Sequence, residues 1–441
     1  MSVKKIDELK QVIKSGLCNR CGSCVGLSSG RIQFVDKEGA YLPFIPSNIE
    51  DELASVMNYA CTARNFNFHE MNNQIFKNEE QIDDKYLGRY KELYIGHTND
   101  TEVRKLGSSG GIISQILIWL LEKGSIDGAV VLDFDELKPW LTKPVIATSK
   151  ERILECAQSK YIISSVNEIL PQIKEFKGNL AFVGLPGQIQ SIRKLQLIGS
   201  DYVTPIKYLF GPFFGNTLHF SSIKSLLKAY KFGDHHEITK LQFRFGEWPG
   251  STKINLKSGK EIILKKFHAN YLIPFHIVKQ SLLCADFTNE FTDISGGDAW
   301  APVYEERGKG FSTIITRTEV GSKIIREMTE AGVLTTSPIE SSEAVKMHSH
   351  AYDLKKRGTL IRIKFLKILG RNTPEYGLKL ESVPFKRYFF EILLDLVFII
   401  GGSQIFKKVI EIVPPRIMGA MFEKARVAWK GATAGIKREQ L

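Results

Sequence analysis

The chain has 441 residues, 43% hydrophobic and 24% charged, a composition typical of a folded globular protein that argues against intrinsic disorder. Its length exceeds that of one ordinary core, so we expect two or three domains. The net charge is +12, and the segment from residue 351 onward contributes most of it, with 18 Lys plus Arg against 8 Asp plus Glu. Because the rest of the chain is nearly neutral and has no nucleic-acid-binding motif, we expect no nucleic-acid partner.

The first residues and the cysteines predict a cytoplasmic protein that binds metal. The opening stretch, M-S-V-K-K-I-D-E-L-K-Q-V-I-K, mixes acids with bases and lacks the apolar core of a signal peptide. The chain has six cysteines, three of them in the run C-N-R-C-G-S-C at residues 18–24. Such bunching is typical of metal ligands in a reducing compartment rather than of a disulfide framework.

Cys18, Cys21 and Cys24 recur at every third position, a spacing that lets three thiolates converge on one metal centre. Gly22 relieves crowding where the backbone wraps around the sulfurs. A [4Fe–4S] cluster needs a fourth thiolate, and Cys61 is the best candidate because the other two cysteines lie much later in the chain. A zinc site is the main alternative, although such sites usually pair two C-x-x-C motifs and a second motif is absent from the sequence. The third possibility is that the cysteine run binds no metal.

From about residue 89 the sequence alternates strand and helix patterns. The strand E-L-Y-I-G-H, a glycine-rich loop opening a helix, the strand D-G-A-V-V-L-D-F, a helix capped by Ser149 and the strand N-L-A-F-V-G follow one another. This order predicts an α/β fold with a mixed, mainly parallel sheet covered by helices. We expect four parts: an N-terminal metal segment (1–88), an α/β domain (89–178), a second domain with hairpins (179–344), and a basic helical tail (345–441).

The tail contains an apolar run, residues 387–401, that is interrupted by Glu391 and Asp395. The run is too short and too charged to span a bilayer, and its acids are four residues apart on one helical face. It therefore predicts an amphipathic helix. That helix either packs on its own domain or a partner subunit, or makes peripheral contact with the inner face of a membrane.

Two turns of small residues follow predicted strands, where ligands of open α/β sheets bind. The turn G-L-P-G-Q at residues 184–188 contains Gly184 and Pro186. The other turn, which opens a helix, consists of Gly107, Ser108, Ser109, Gly110 and Gly111. Backbone N–H groups in such turns can approach a phosphate, helped by the helix dipole. Together the turns predict a dinucleotide-sized cleft, although the glycine-rich turn lacks the G-x-G-x-x-G pattern and an ordinary tight turn is equally compatible with it.

Two charged residues are further candidates for binding a cofactor. Lys160, in Q-S-K-Y, is suited to hold a phosphate or an anionic flavin ring, whereas an ordinary solvated lysine is the alternative. Asp298, in S-G-G-D-A-W, lies between glycines and Trp300 in a loop that is suited to face a ligand. An Asx-turn without a ligand is the alternative for this residue.

The motifs occur in chain order from residue 18 to about 317, some two thirds of the sequence, and the tail lies outside them. They are C-N-R-C-G-S-C, G-S-S-G-G-I-I-S-Q-I-L-I-W-L-L-E-K-G-S-I-D-G-A-V-V, S-K-Y-I-I-S-S-V, A-F-V-G-L-P-G-Q-I-Q-S-I-R-K-L, E-W-P-G and C-A-D-F-T-N-E-F-T-D-I-S-G-G-D-A-W. Taken together, they resemble the coenzyme F420 hydrogenase/dehydrogenase beta-subunit family. The predicted domains at 89–178 and 179–344 are similar to the N-terminal and C-terminal domains of that family.

The resemblance implies an iron–sulfur flavoprotein with FAD and at least one [4Fe–4S] cluster. It supports Cys61 as the fourth ligand, although family members often have proline where this chain has Thr62. It also implies that the glycine-rich turn, Ser159 and Lys160 belong to the flavin region.

Two departures from the family pattern concern a second cluster. Many members read T-P-C-Q where this chain has L-P-G-Q, so Gly187 replaces a cysteine. They often read C-x-x-C where this chain has Ser281 at the first position and Cys284 at the last. We therefore expect a single cluster and no ligand role for Cys284.

The resemblance implies an oxidoreductase that couples hydride transfer at FAD to one-electron transfer through the cluster. Coenzyme F420 or another small organic molecule is the expected substrate, and similar chains are encoded with enzymes of cell-surface polysaccharide biosynthesis. The electron partner would be ferredoxin or a hydrogenase or dehydrogenase subunit. The alternatives are a non-catalytic electron-transfer subunit and a degenerate scaffold with a structural cluster.

Overall fold

The structure is a computed structural model that describes residues 5–36, 39–233, 235–304 and 309–437. Its strands form one eight-stranded sheet and three small sheets. The strands are β1 (Gln33–Val35), β2 (Leu42–Phe44), β3 (Ile82–Asp84), β4 (Gly88–Tyr90), β5 (Glu92–Thr98), β6 (Gly128–Phe134), β7 (Thr142–Ala147), β8 (Leu180–Val183), β9 (Ile206–Pro212), β10 (Ile238–Phe245), β11 (Ser251–Leu256), β12 (Glu261–Lys265), β13 (Ile294–Asp298), β14 (Ser312–Thr316) and β15 (Leu334–Pro338).

Helices surround the large sheet and form most of the tail. They are α1 (Lys5–Lys14), α2 (Ser23–Leu27), α3 (Asp51–Ala60), α4 (Phe68–Ile75), α5 (Thr101–Leu106), α6 (Ile112–Glu122), α7 (Lys150–Glu155), α8 (Leu170–Glu175), α9 (Pro186–Leu197), α10 (Ser221–Ala229), α11 (Lys266–Ala269), α12 (Ile273–His276), α13 (Lys279–Leu283), α14 (Glu319–Glu330), α15 (Ser341–Met347), α16 (Ser349–Tyr352), α17 (Thr359–Ile368), α18 (Phe385–Gly401), α19 (Gln404–Ile412) and α20 (Pro415–Lys437). Short 3-10 helices lie at Val166–Ile169, Asp201–Val203, His235–Glu237 and Asn270–Leu272, and a π-helical turn at Asp353–Gly358.

The large sheet has the strand order β15-β5-β14-β13-β9-β8-β6-β7. Its centre is parallel, because β13, β9, β8 and β6 pair in the same direction. Antiparallel strands flank this centre on both sides. The predicted mixed α/β sheet is thus confirmed, and the carboxyl ends of four adjacent strands meet at one edge.

Both faces of the sheet are covered, as the apolar composition of its strands predicts. Side chains that alternate along β8 illustrate this: Leu180 and Phe182 belong to one core, with helices α1, α3, α8 and α9. Ala181 points to the opposite core, which contains α6, α7 and α14. The N-terminal segment therefore shares a hydrophobic core with the sheet.

The predicted hairpin is present and is extended by a third strand. Strand β11 pairs with β12 on one side and with β10 on the other, and both pairings are antiparallel within a small sheet of their own. The apolar residues of this sheet pack on helix α10 in a third core. The basic tail is helical as expected, and α18 spans the predicted amphipathic run.

Candidate functional site

Four cysteine side chains come together at the N-terminal end of the molecule. Cys18, Cys21 and Cys24 lie in the loop that leads into α2 and in its first turn, and Cys61 caps the end of α3. Each of the four thiols interacts electrostatically with the other three. The structure thus brings Cys61 to the cysteine run, as the sequence predicts.

The four cysteines are half-buried. Burial raises the pKa of Cys18 to about 11 and that of Cys61 to about 12, and it also raises the pKa values of Cys21 and Cys24. Neutral thiols are therefore favoured without metal, and thiolates would require the positive charge of a bound metal. The hydroxyl group of Ser23 lies 3.2 Å from the Cys21 sulfur, within hydrogen-bond reach.

Among the described residues, no group of three or more His, Cys, Asp or Glu side chains is arranged as a site for a single metal ion. Four thiolates can hold either a zinc ion or an iron–sulfur cluster. A structural zinc site has all its sulfurs at about 2.3 Å from one ion, whereas the thiolates of a four-iron cluster each bind a different iron atom.

The cysteine loop is held by close contacts with the 3-10 helix Val166–Ile169. Gly22 adopts φ 96°, and a Cβ there would lie 2.6 Å from the backbone nitrogen of Glu168. The carbonyl of Cys21 accepts a hydrogen bond from the Asn167 backbone at 2.9 Å. Only glycine allows this approach, and the crowding that Gly22 relieves is with this helix rather than, as predicted, around the sulfurs.

A cleft of about 450 Å³ lies at the carboxyl edge of the sheet. Val183, Pro212 and Gly297, near the ends of three parallel strands, contribute to its wall. This is the edge at which ligands of open α/β sheets bind. The predicted residues that line it are Gly107, Ser108, Ser109, Gly111, Ser159, Lys160, Gly184 and Asp298.

Two predicted residues lie beside the cleft. Gly110 belongs to the glycine-rich turn, and its N–H donates to the hydroxyl of Ser312 at 2.9 Å. Pro186 occupies the first turn of α9, where its fixed φ suits a helix start. Neither is among the residues that line the cleft wall.

Two segments that are distant in sequence join at Ser108. Its hydroxyl oxygen accepts hydrogen bonds from the backbone N–H of Ser159, at 2.7 Å, and from the Ser159 hydroxyl, at 3.0 Å. The glycine-rich turn and the S-K-Y segment therefore form one continuous wall.

Lys160 is half-buried rather than fully solvated. Its Nζ donates to the carbonyl oxygens of Cys156 at 2.9 Å and Gln158 at 3.3 Å. Burial lowers its pKa to about 8. The ammonium thus lies in the cleft wall, at the end of helix α7.

Asp298 belongs to a buried polar cluster. It accepts hydrogen bonds from the guanidinium of Arg244 at 2.9 Å and the indole N–H of Trp248 at 2.8 Å. Burial opposes its ionisation, but the charges of Arg244 and Lys266 outweigh burial and hold its pKa well below the usual range. Asp298 therefore orients cationic and aromatic groups at the cleft rather than forming an isolated turn.

Sequence reasoning missed Arg244, Lys266 and His348. Arg244 also donates to the hydroxyl of Tyr161 at 2.8 Å, and Lys266 lies 4.9 Å from the ring centre of Trp300. His348 Nε2 lies 2.6 Å from the carbonyl of Asp298, and burial lowers the pKa of this histidine to about 4. The only sequence feature that could have indicated one of them is the position of Arg244 between two phenylalanines in a strand.

The thiol site and the cleft are neighbours. A small cavity beside Cys21 shares Ser164, Leu185 and Gln188 with the cleft wall. Gln188 lies between the two cavities, and its side-chain amide donates to the Ser164 carbonyl at 2.5 Å. The cavity beside Cys21 and the cleft are therefore adjacent, with these shared residues between them.

The three positions that concern a second cluster surround the same small cavity. Gly187, Ser281 and Cys284 all line it, and the Cys284 thiol lies 3.5 Å from the carbonyl of Asp286. A Cβ at Gly187 would lie 2.3 Å from the side-chain nitrogen of Asn19, so Asn19 fills the space that a larger residue would need. Cys21 and Cys284 are the two thiols among the described residues that line this cavity.

The structure combines a mixed α/β sheet, a cofactor-sized cleft at the strand ends and an adjoining four-cysteine site. This combination is suited to a protein that carries out redox chemistry. Two models of the family "Coenzyme F420 hydrogenase/dehydrogenase, beta subunit" match the chain, the N-terminal model over residues 93–171 and the C-terminal model over residues 177–342. The chain belongs to the coenzyme F420 hydrogenase/dehydrogenase beta-subunit family, so the resemblance seen in the sequence is confirmed.

Named relatives agree with this assignment. The chain is 29% identical to the coenzyme F420 hydrogenase subunit beta of Methanosarcina barkeri, over 59% of this chain and 86% of the relative. It is 31% identical to the same subunit of Methanococcus voltae, over 58% and 86%. A chain in the solved F420-reducing [NiFe] hydrogenase complex from Methanosarcina barkeri superimposes with a TM-score of 0.53 at 24% identity, over 67% of this chain and 99% of that chain. The last likeness supports the fold.

Proposed function

We propose that the protein is an iron–sulfur flavoprotein oxidoreductase. In this proposal Cys18, Cys21, Cys24 and Cys61 hold one [4Fe–4S] cluster, and the cleft at the sheet edge holds FAD beside a small organic substrate. The observation that carries the proposal is the layer of residues, among them Leu185 and Gln188, that lines both the cavity beside Cys21 and the cleft. Such a layer suits electron exchange between two cofactors.

The donor set fits a cluster. Four mutually interacting thiols provide the ligands that iron–sulfur clusters use, and the sequence lacks the second C-x-x-C motif that zinc sites usually have. The Ser23 hydroxyl, at 3.2 Å, can donate to the Cys21 sulfur. Hydrogen bonds to sulfur are among the features that tune the potential of such clusters.

The cleft fits a flavin nucleotide. Its volume of about 450 Å³ is within the range of cofactor sites. The start of α6, at Ile112 and Ile113, faces the cleft and offers N–H groups and positive potential to a phosphate. Lys160, Arg244 and Lys266 supply positive charge near the same walls.

Bound FAD would accept a hydride and the cluster would pass single electrons, so two one-electron transfers and the release of one proton balance each hydride. Within this scheme, Asp298 fixes the guanidinium of Arg244 and the indole of Trp248. Leu185 and Gln188 line both cavities and lie between the two sites. The proposed hydride carrier is coenzyme F420, as the names of the relatives suggest, or another organic molecule, such as an intermediate of cell-surface polysaccharide synthesis.

The proposed electron partner is ferredoxin or a subunit of a larger complex. Several relatives are named as subunits, which supports a partner chain. A second internal cluster is not part of the proposal, because Gly187 and Ser281 offer no thiolate. The partner would therefore exchange electrons directly at the N-terminal cysteine site.

Anaerobic purification with iron and flavin tests the proposal. We expect about four irons, four sulfides and one flavin per chain, and turnover when F420H₂ and ferredoxin are added. Bound cofactors without turnover would indicate an electron-transfer subunit. A colourless, iron-free protein would leave a scaffold, and bound zinc would contradict the cluster.

A pair of matched variants tests the ligand set. Cys61→Ala should lose most of the iron, because a cluster with three protein thiolates is weakly held. Cys284→Ala should retain it, although Cys284 lies in the cavity beside Cys21. Iron loss in the second variant alone would mean that Cys284, rather than Cys61, is the fourth ligand.

A further inference from the structure

Helix α18 buries charged side chains and exposes apolar ones, which is the reverse of the usual arrangement in a surface helix. Arg387 and Glu391 are fully buried against the body of the protein. The apolar residues Phe385 (84% exposed), Phe389 and Ile399 (70% exposed) point outward. A helix at a water interface normally buries its apolar stripe and exposes its charges. This one does the opposite.

Helix α19 also exposes an apolar face. Ile405, Val409 and Ile412 are exposed, at a spacing of four and three residues that places them on one face. Ile410 is buried, and Glu411 accepts a hydrogen bond from the Lys228 Nζ at 2.9 Å. Both helices therefore expose apolar side chains to solvent. We call these side chains together the apolar ridge, which consists of Phe385, Phe389, Ile392, Leu396, Ile399, Ile400, Ile405, Val409 and Ile412.

The acids of these helices point to the protein body. Glu391 pairs with Arg387 at 2.6 Å, Asp395 lies 4.0 Å from Arg362, and on α20 Glu423 lies 3.2 Å from His268. The exposed charges of the same helices include the bases Lys386, Lys408 and Lys424. Within the part of the tail that the structure describes, the outward surface thus combines apolar and basic groups.

We propose that the apolar ridge binds the surface of a membrane that contains anionic phospholipid. The apolar side chains would enter the boundary between headgroups and acyl chains, and Lys386, Lys408 and Lys424 would contact the headgroups. Contiguous exposed apolar surface of this kind usually marks an interaction site.

The geometry favours a helix pair that lies in the interface. Among the described helices, no single one is long and apolar enough to cross a bilayer. Helices α18 and α19 reach that length and apolar composition only as a pair, and the chain bends by 73° between them. A second copy of the chain fits less well, because a two-fold interface would bring two basic surfaces together. An anionic membrane surface complements both the apolar side chains of the ridge and the basic side chains of the same helices.

Flotation of the full-length holoprotein with vesicles tests the proposal. We expect binding to vesicles of phosphatidylcholine with about one third phosphatidylglycerol, weaker binding to phosphatidylcholine alone, and a decrease with salt. The double variant Ile399→Gln, Ile412→Gln should bind at least about tenfold more weakly, since it removes two of the most exposed apolar side chains of the ridge. Lys408→Glu with Lys424→Glu should selectively weaken binding to the anionic vesicles.

The matched control is Leu137→Gln, which removes a comparably exposed apolar side chain outside the tail. It should bind vesicles as the wild type does. All variants should keep their cofactor content, because none of these residues lines the cleft or the thiol site. Wild-type protein that floats with neither vesicle would overturn the proposal. A solution dimer that the Ile399 and Ile412 substitutions dissociate would instead assign the ridge to a second copy.

Discussion

Gly187 is the residue at which the thiol site and the cleft-lining turn touch. Its missing side chain leaves room for Asn19, which accepts from the Cys21 N–H at 3.1 Å and donates to the Thr62 hydroxyl at 3.3 Å. In Gly187→Ala the new methyl group would displace Asn19 and break these bonds. We expect a loss of about 1–2 kcal/mol in the free energy of unfolding, measured by urea titration, and faster loss of iron. Gly233→Ala, in open space, should leave both unchanged.

Lys355 gives a pH-dependent test of burial at a single residue. It is 1% exposed, its Nζ donates to the carbonyl of Ser281 at 2.7 Å, and it lies 4.3 Å from the ring centre of Phe214. Burial lowers its pKa to about 8, below the ordinary value of 10.5. Between pH 8 and 10.5 the unfolded state therefore binds more protons than the folded state, so this residue makes the wild type more stable as pH rises.

The variant Lys355→Met removes that dependence. Relative to the variant, the free energy of unfolding of the wild type should rise across this window by up to about 1.4 kcal/mol per pH unit. Urea titrations at several pH values measure the difference. Lys323→Met, at an exposed position, should give a curve parallel to that of the wild type. Parallel curves for Lys355→Met would mean that its ammonium is solvated.

At the scale of elements, buried ion pairs attach helix α18 to the body. Arg387 donates to Asp353 at 2.9 Å, and Glu391 pairs with both Arg387 and Arg362. Glu391→Gln would leave Arg362 with only the more distant and partly exposed Asp395, at 4.0 Å, and we expect a loss of about 3 kcal/mol in the free energy of unfolding. Urea denaturation and limited proteolysis within the tail measure this. Glu381→Gln, which removes the partner of Lys85 in an exposed pair, should cost less than about 1 kcal/mol.

Local patterns were sufficient to predict many elements. Strands β5, β6 and β8 follow from their apolar runs, and Ser149 caps α7 by accepting from the Arg152 N–H. The short helix α5, between β5 and the glycine-rich turn, was missed because six residues carry little periodicity. The pattern of α18 predicted two faces but not which one is buried. That choice depends on Asp353 and Arg362, which lie outside the helix.

At the scale of the whole molecule, the residues of the candidate site form two groups. Those of one group are close together in the sequence, and those of the other are brought together only by the fold. The spacing of Cys18, Cys21 and Cys24 is local, so their convergence could be predicted from the sequence alone. Arg244 and His348 approach Asp298 only through the order of strands and the packing of the tail. No short motif encodes such contacts, and the cationic side of the cleft therefore became visible only in the folded chain.

The same architecture predicts that the two cofactor sites are lost independently. The turn beside the cleft is held by its own contacts, since the Gly184 N–H donates to Phe210 at 3.1 Å and Gln188 donates to Ser164 at 2.5 Å. These contacts do not involve the thiols. In Cys21→Ala we therefore expect loss of the cluster but retention of flavin, measured by iron and flavin content.

Reduced flavin in this variant should no longer reduce ferredoxin, whereas hydride exchange in the cleft should persist. Cys284→Ala, which alters a buried thiol outside both the four-cysteine site and the cleft wall, should keep both activities. Loss of flavin together with iron in Cys21→Ala would mean that the cysteine loop supports the cleft. The layer formed by Leu185 and Gln188 would then be a shared structural element rather than a boundary between two sites.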